Sequence, residues 1–299
     1  MRAINRREFM VGAAGVLAAT AAAPALGQAA KPVLTAATMR TLGKTGIQVS
    51  LLGMGTGVKA WGGHSELTRK GHDAFMGLLK HAYEAGIRYF DMADMYGSHP
   101  YMKEALKSFM DRDKVTLLTK TGAHKPQIIR EDIERFRKEL DTDRLDIVLM
   151  HCMSDPDWPE TLKGCMDALA DFKAKGILRA HGVSCHSIKA AMAAAESEWV
   201  DVLLERINPF GLKMDGPPDE LVPVLRKAHE NKKGVLGMKI AGEGQCSDRI
   251  GESLKFVMGL GCVDAMPIGF LQPSDVDTAF EHVAKAAEAL PAGNLRSQI

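Results

Sequence analysis

The feature that most constrains this chain is an alternation of short apolar runs with segments of helical spacing, repeated from about residue 50 onward. The runs fall at 51–55, 88–91, 115–120, 147–151, 178–184, 202–204, 235–239 and 263–268. Runs this short that are apolar almost throughout read as strands buried on both faces, as in a parallel sheet covered by its crossover helices. The segment after the first run carries Phe75, Leu78, Leu79 and Ala82, which helical spacing places on one apolar stripe. Asp157-Trp158-Pro159 and Pro273-Ser274-Asp275 carry the capping and N1-proline signals that open helices.

Eight such βα units predict an α/β chain folded as a (β/α)8 TIM barrel, whose usual size is about 250 residues. A doubly wound open sheet would carry GxGxxG after its first strand, and GMGTG here lacks the third glycine. Ahead of the first unit, extended runs at 39–42 and 47–51 flank a Lys44-Thr45-Gly46 turn and predict an N-terminal β-hairpin. No linker or low-complexity tract interrupts residues 31–299, which read as one barrel domain.

Residues 1–30 read differently. A basic start, an apolar stretch from Met10 to about Ala25 and small residues up to Ala30 have the layout of a secretory leader removed on maturation. Arg6-Arg7 followed by Glu8, Phe9 and Met10 resembles the twin-arginine export motif. That resemblance implies passage through the twin-arginine export machinery to the periplasm or another exported location. The apolar run is shorter than the ~20 residues of a membrane span, so no stable span is expected in the mature protein.

Lys and Arg number 38 against 37 Asp and Glu, and no basic patch points to nucleic acid as a partner. The five cysteines (Cys152, Cys165, Cys185, Cys246, Cys262) show no CxxC spacing and read as free thiols, not as a disulfide framework or zinc site. No HxH pair ends the first strand, and His181 and His186 read as structural, so no metal site is assigned.

In barrels of this kind the chemistry sits at the C-terminal ends of the strands. FDMADMYG places Asp91 at the end of the second strand and Tyr96 in the loop after it; LLTKTG ends the third with Lys120, and DIVLMH ends the fourth with His151. Together with the TLGKTGIQVS hairpin, these runs resemble the aldo-keto reductase family across nearly the whole mature chain. The resemblance implies an NAD(P)H-dependent oxidoreductase that reduces an aldehyde or ketone to an alcohol, or runs the reverse, with a small carbonyl compound as substrate. Tyr96 would be the general acid. Its hydroxyl, with a reference pKa of about 10, would be lowered by the Lys120 ammonium, and Asp91 would offset the burial of that lysine. His151, as a neutral imidazole, would orient the carbonyl oxygen.

The same resemblance implies cofactor contacts from Gly55, Thr56, Ser184, Cys185, Lys239, Gly269 and Asp275. Ser184 matches the family serine that holds the nicotinamide carboxamide. Cys185 replaces the asparagine beside it, and Leu204 stands where a glutamine is common. Lys239 would face a cofactor phosphate, with glycines after it that let backbone N–H groups approach. No basic residue occurs from Met266 to Phe280, where relatives that select NADP place one for the 2′-phosphate; Asp275 suits a ribose hydroxyl instead, an expectation of NAD tolerance. The short segment after Leu290 predicts an open pocket. A nucleotide-binding regulatory or accessory protein with little turnover is the alternative reading, and a Schiff-base aldolase using Lys120 would leave Tyr96 and His151 without a role.

Overall fold

The computed structural model describes residues 34–290. The leader expected at 1–30 lies outside the described residues, as do 31–33 and 291–299.

A two-stranded antiparallel hairpin, β1 (Met39–Thr41) and β2 (Gln48–Ser50), precedes the barrel. Eight strands follow: β3 (Leu52–Gly55), β4 (Tyr89–Asp91), β5 (Thr116–Thr121), β6 (Leu145–Met153), β7 (Leu178–Cys185), β8 (Val202–Arg206), β9 (Gly234–Met238) and β10 (Met266–Ile268). They pair in parallel in the order β10-β3-β4-β5-β6-β7-β8-β9. A parallel bridge from Leu236 to Ala265, with Gly237 N donating to Ala265 O at 2.9 Å, joins β9 to the approach of β10 and closes the ring. The protein is a (β/α)8 barrel, as the alternation predicts.

The helices are α1 (Glu66–Arg69), α2 (His72–Glu84), α3 (His99–Ser108), α4 (Pro126–Leu140), α5 (Trp158–Thr161), α6 (Lys163–Ala174), α7 (Ile188–Glu196), α8 (Pro218–Glu230), α9 (Ile250–Gly259) and α10 (Pro273–Ala289). The expected stripe of α2 is what it buries: Phe75, Leu78, Leu79 and Ala82 are all fully covered. At about 1.5–3 kcal/mol for each fully buried Leu or Phe, packing of this face holds the helix to the sheet.

Two apolar layers result. The outer one lies between strands and helices. The inner one fills the barrel with Tyr89, Leu118, Ile147, Leu149, Ala180, Val202, Leu204, Leu236 and Ala265, and the hairpin plugs its N-terminal end with Leu42, Ile47 and Val49. Two boundaries differ from expectation. β8 runs on through Glu205 and Arg206, and β10 starts only at Met266, because the Asp264 side chain accepts from Val235 N at 2.8 Å where a strand carbonyl would.

Candidate active site

Side chains alternate between the two faces of a strand, so the next inward position beyond the apolar filling opens onto the barrel mouth. On β4 that step leads from Tyr89 to Asp91, on β5 from Leu118 to Lys120, and on β6 from Leu149 to His151. On β8 it leads from Leu204 to Arg206, and on β9 from Leu236 to Met238. A polar ring therefore sits one step above an apolar plug.

Within that ring Lys120 Nζ donates to Asp91 Oδ1 at 2.5 Å and to the Met92 carbonyl at 2.8 Å. The pair is buried, with 1% and 7% of the two side chains exposed. Tyr89 adds a donor to Asp91 Oδ2 at 3.3 Å. Burial lowers the Lys120 pKa, and Asp91 opposes that shift.

Tyr96 stands in a single turn of 3-10 helix, Asp94–Tyr96, that ends at Gly97 with a φ of 67°. A side chain on Gly97 would lie 2.0 Å from the Gly63 carbonyl, so this turn needs a glycine on both counts. Arg135 clamps the turn through Asp94 at 2.6 Å. The Lys120 ammonium lies 4.9 Å from the centre of the Tyr96 ring. The expected lowering of the Tyr96 pKa is not what results. Burial, then the Asp91 and Cys152 charges, push the phenol well above the usual tyrosine range, with Arg206 acting in the opposite sense. The ammonium is matched to Asp91 instead, so Tyr96 is firmly protonated.

His151 presents its ring edge-on to Tyr96, centroids 5.8 Å apart at 78°, and lies 6.4 Å from His186. Burial, with Lys120 next, lowers its pKa to about 2, so the ring is neutral as expected. Immediately after it the ladder to β7 shifts register, and Cys152 adopts a left-handed φ of 63°. Such a bulge re-aims the side chains around it. Cys152 N donates to Ser184 Oγ at 3.0 Å, which places Ser184, fully buried, as the support of that bulge.

A cleft at the mouth is lined by Gly55, Gly57, Asp91, Tyr96, Lys120, Lys239 and Gly269, among others. Its floor is bare backbone: a Cβ on Gly269 would meet Val58 Cγ2 at 2.1 Å. Of the residues expected from sequence to meet a cofactor, Gly55, Lys239 and Gly269 line this cleft. Four others do not line the cleft. Thr56 is buried, and its hydroxyl donates to Asp91 O at 3.0 Å and lies 2.9 Å from Ser98 Oγ, whose own hydroxyl can donate to it, tying β3 to the loop after β4. Cys185 falls on the outward parity of β7 and packs in the outer apolar layer. Ser184 is engaged as described. Asp275 caps α10: its Oδ2 accepts from Leu271 N at 2.8 Å and Gln272 N at 3.2 Å, and its Oδ1 accepts from Gln272 Nε2 at 3.1 Å. Lys239 has a carboxylate of its own, Glu243 at 2.6 Å, in a loop where Lys239, Gly242, Glu243 and Gly244 all have positive φ.

Two residues escaped sequence reasoning. Gly57 lies so close to Tyr96 that a Cβ would meet the ring at 2.2 Å. Arg206 was hidden because the apolar run of β8 ends at Leu204; counting two residues further along the inward parity would have found it. Among the described residues, no group of three or more His, Cys, Asp or Glu side chains is placed to hold a metal ion, and the cysteines are free. No described helix is long and apolar enough to cross a membrane.

Comparison with known proteins matches residues 52–254 to the model of the Aldo/keto reductase family. D-threo-aldose 1-dehydrogenase of a Pseudomonas species is 23% identical over 58% of this chain and 61% of that relative. An aldo-keto reductase of Schizosaccharomyces pombe whose name carries NADP(+) is 23% identical over 63% of this chain and 58% of its own length. The chain spans about half to three fifths of the length of such curated relatives. A solved Pseudomonas aeruginosa structure with a provisional aldo-keto reductase name is 26% identical, with a TM-score of 0.71 over 83% of this chain and 94% of that one.

Proposed function

The chain belongs to the aldo/keto reductase family, and on that premise we propose that it is a nicotinamide-dependent oxidoreductase acting on an aldehyde or ketone, with Tyr96 as general acid. The observation that carries this reading is the convergence of Tyr96, the buried Asp91–Lys120 pair and neutral His151 at one barrel mouth.

The residues fit a dinucleotide in part. The glycine floor admits close approach of a ligand, and Lys239 offers a cation to an anionic group. The carboxamide end fits less well, since Cys185 faces outward and Leu204 is apolar. A bound reduced nicotinamide would supply hydride to the carbonyl carbon. The chain's own part is the proton. Tyr96 holds one firmly and releases it only to an oxygen whose charge is developing, with the Lys120 ammonium 4.9 Å from the centre of its ring. Asp91 keeps Lys120 charged against burial, and neutral His151 donates a ring N–H to the same carbonyl oxygen.

Asp275 is committed to its cap, and no basic residue occurs from Met266 to Phe280. This supports tolerance of NAD, tested by comparing NADH and NADPH dissociation constants in fluorescence titrations; a large preference for NADPH would refute it. The Arg6-Arg7 leader supports export through the twin-arginine route, tested by cell fractionation of an Arg6→Lys/Arg7→Lys variant. Turnover of NADH or NADPH with an aldehyde panel, lost in Tyr96→Phe while nucleotide binding persists, is the result expected of a reductase. The incomplete carboxamide contacts favour a second reading, a nucleotide-binding accessory protein. Nucleotide binding without multiple turnover would decide for it.

A further inference from the structure

The ring at the barrel mouth contains a cation that the proposed chemistry does not use. Arg206 occupies the inward position of β8, two residues past Leu204 of the inner layer, and pairs in register with Met238, which lines the cleft. Its backbone is pinned by Glu205, whose Oε1 accepts from Arg206 N at 2.8 Å. Its guanidinium is held by Asp215, with Arg206 Nη1 donating to Oδ1 at 3.0 Å.

This arrangement is incomplete in one specific way. A guanidinium has five N–H donors. Asp215 takes one of them at 3.0 Å, whereas Arg206 Nε is buried with no acceptor. A buried donor without a partner is costly, and such groups in folded proteins call for an explanation. Behind the arginine, Glu205 is fully buried, and its Oε2 and Asp215 Oδ2 are both acceptors without a donor. Burial pushes the Glu205 pKa well above the usual carboxylate range and raises that of Asp215 as well. Asp215 thus meets the guanidinium through one hydrogen bond, and the fork keeps unused donors.

The place of Arg206 in the ring separates it from the nucleotide side. The cleft is built from the ends of β9, β10, β3, β4 and β5, with its glycine floor at Gly55, Gly57 and Gly269. Arg206, His186 and His151 come from the opposite arc, at the ends of β8, β7 and β6. The arginine acts on both histidines and on Tyr96, lowering each pKa, so its charge reaches the groups that would surround a carbonyl.

We propose that Arg206, braced by Asp215, is the anchor for a carboxylate on the substrate, so that the preferred substrates are carbonyl compounds bearing a carboxylate group. The planar fork of arginine matches a carboxylate with two parallel hydrogen bonds, which a neutral carbonyl compound cannot return. This rests on the reductase reading for the carbonyl half of the substrate and on Arg206 alone for the anionic half.

The test uses matched probes. In calorimetry with the purified protein, benzoate is expected to bind at least about tenfold more tightly than benzamide, and Arg206→Met should erase the difference. In kinetics, Arg206→Met should lower kcat/KM for 4-carboxybenzaldehyde about 10–100-fold further than it lowers that for 4-nitrobenzaldehyde. Arg206→Lys, which retains the charge without the fork, should fall between the two and covers the case in which the methionine variant does not fold. Equal binding of benzoate and benzamide by the wild-type protein would overturn the proposal. So would an equal loss with both aldehydes, or a raised KM for the nucleotide with both, which would place Arg206 at the cofactor. If neither aldehyde turns over, the reductase reading fails while the benzoate comparison still decides the anion site.

Discussion

Replacing one member of the Asp91–Lys120 pair measures what the barrel mouth costs the fold. Exposed ion pairs contribute about 0–1 kcal/mol, but here the partners are 2.5 Å apart with 1% and 7% of their side chains exposed, so neither charge can fall back on water. Removing one partner of such a pair costs about 3–5 kcal/mol, because the other is left desolvated and unmatched. Lys120→Met leaves the Asp91 carboxylate with only the weak Tyr89 donor at 3.3 Å, which places it in that range. For a domain of this size each kcal/mol lowers Tm by roughly 2–4 °C, so the expected loss is roughly 6–20 °C. Asp91→Asn costs less, because the lysine has a second route. Its pKa is already depressed by burial, and without the carboxylate it falls further until the amine sheds its proton.

The sign of the pH dependence follows. Between the depressed folded value and the unfolded value of about 10.4, the unfolded chain binds a proton that the folded chain does not, so stability rises with pH. The deficit of Asp91→Asn should therefore be larger at pH 7 than at pH 9. The double variant Asp91→Asn/Lys120→Met has no buried charge left at this pair and should lie within about 2 kcal/mol of wild type, better than Lys120→Met alone. Urea unfolding followed by circular dichroism, with differential scanning calorimetry for Tm, reads all three. Single losses below about 1 kcal/mol, or a double variant as damaging as the sum of the singles, would refute the reasoning.

Three further outcomes are expected. Gly57→Ala places a methyl 2.2 Å from the Tyr96 ring, and a displacement of about 1 Å at the acid should lower kcat up to about 100-fold in steady-state assays with little change in Tm. Asp275→Ala removes the α10 cap and should cost about 1 kcal/mol, read as a Tm drop of roughly 2–4 °C, while the ratio of NADH to NADPH affinity stays unchanged. On acidification, His151 and His186, with folded pKa values of about 2 and about 4, stay neutral while the unfolded chain protonates near 6.5. Stability should therefore fall as pH drops from about 6.5 toward 4, and urea midpoints at pH 7, 6 and 5 should show a shallower decline in His151→Asn.

Much of the fold was legible because it depends on local period. The α2 stripe appears at helical spacing, and each barrel strand appears as a short apolar run, whatever the rest of the chain does. The strand ends of the candidate site were legible for the same reason: Asp91, Lys120 and His151 interrupt apolar runs at their C-terminal ends. The differences from expectation have equally definite causes. Asp275 lies near the expected nucleotide loop, but the free N–H groups ahead of α10 claim its carboxylate first. Cys185 follows a matching serine, yet strand parity turns it away from the mouth. Thr56 follows a glycine of the cleft but is drawn under Asp91 by two hydrogen bonds.

By itself, then, the sequence determined the eight-unit alternation, the hairpin and the residues that end the strands, because hydrophobic period and turn chemistry act over a few neighbouring residues. The balance of charge at the mouth was decided only by the tertiary structure. Asp91 and Lys120 are 29 residues apart, and Tyr96 and His151 come from different βα units. Which cation faces which carboxylate, how high Tyr96 holds its proton and whether Arg206 keeps donors to spare all depend on distance and burial, which exist only once the ring of strands has closed.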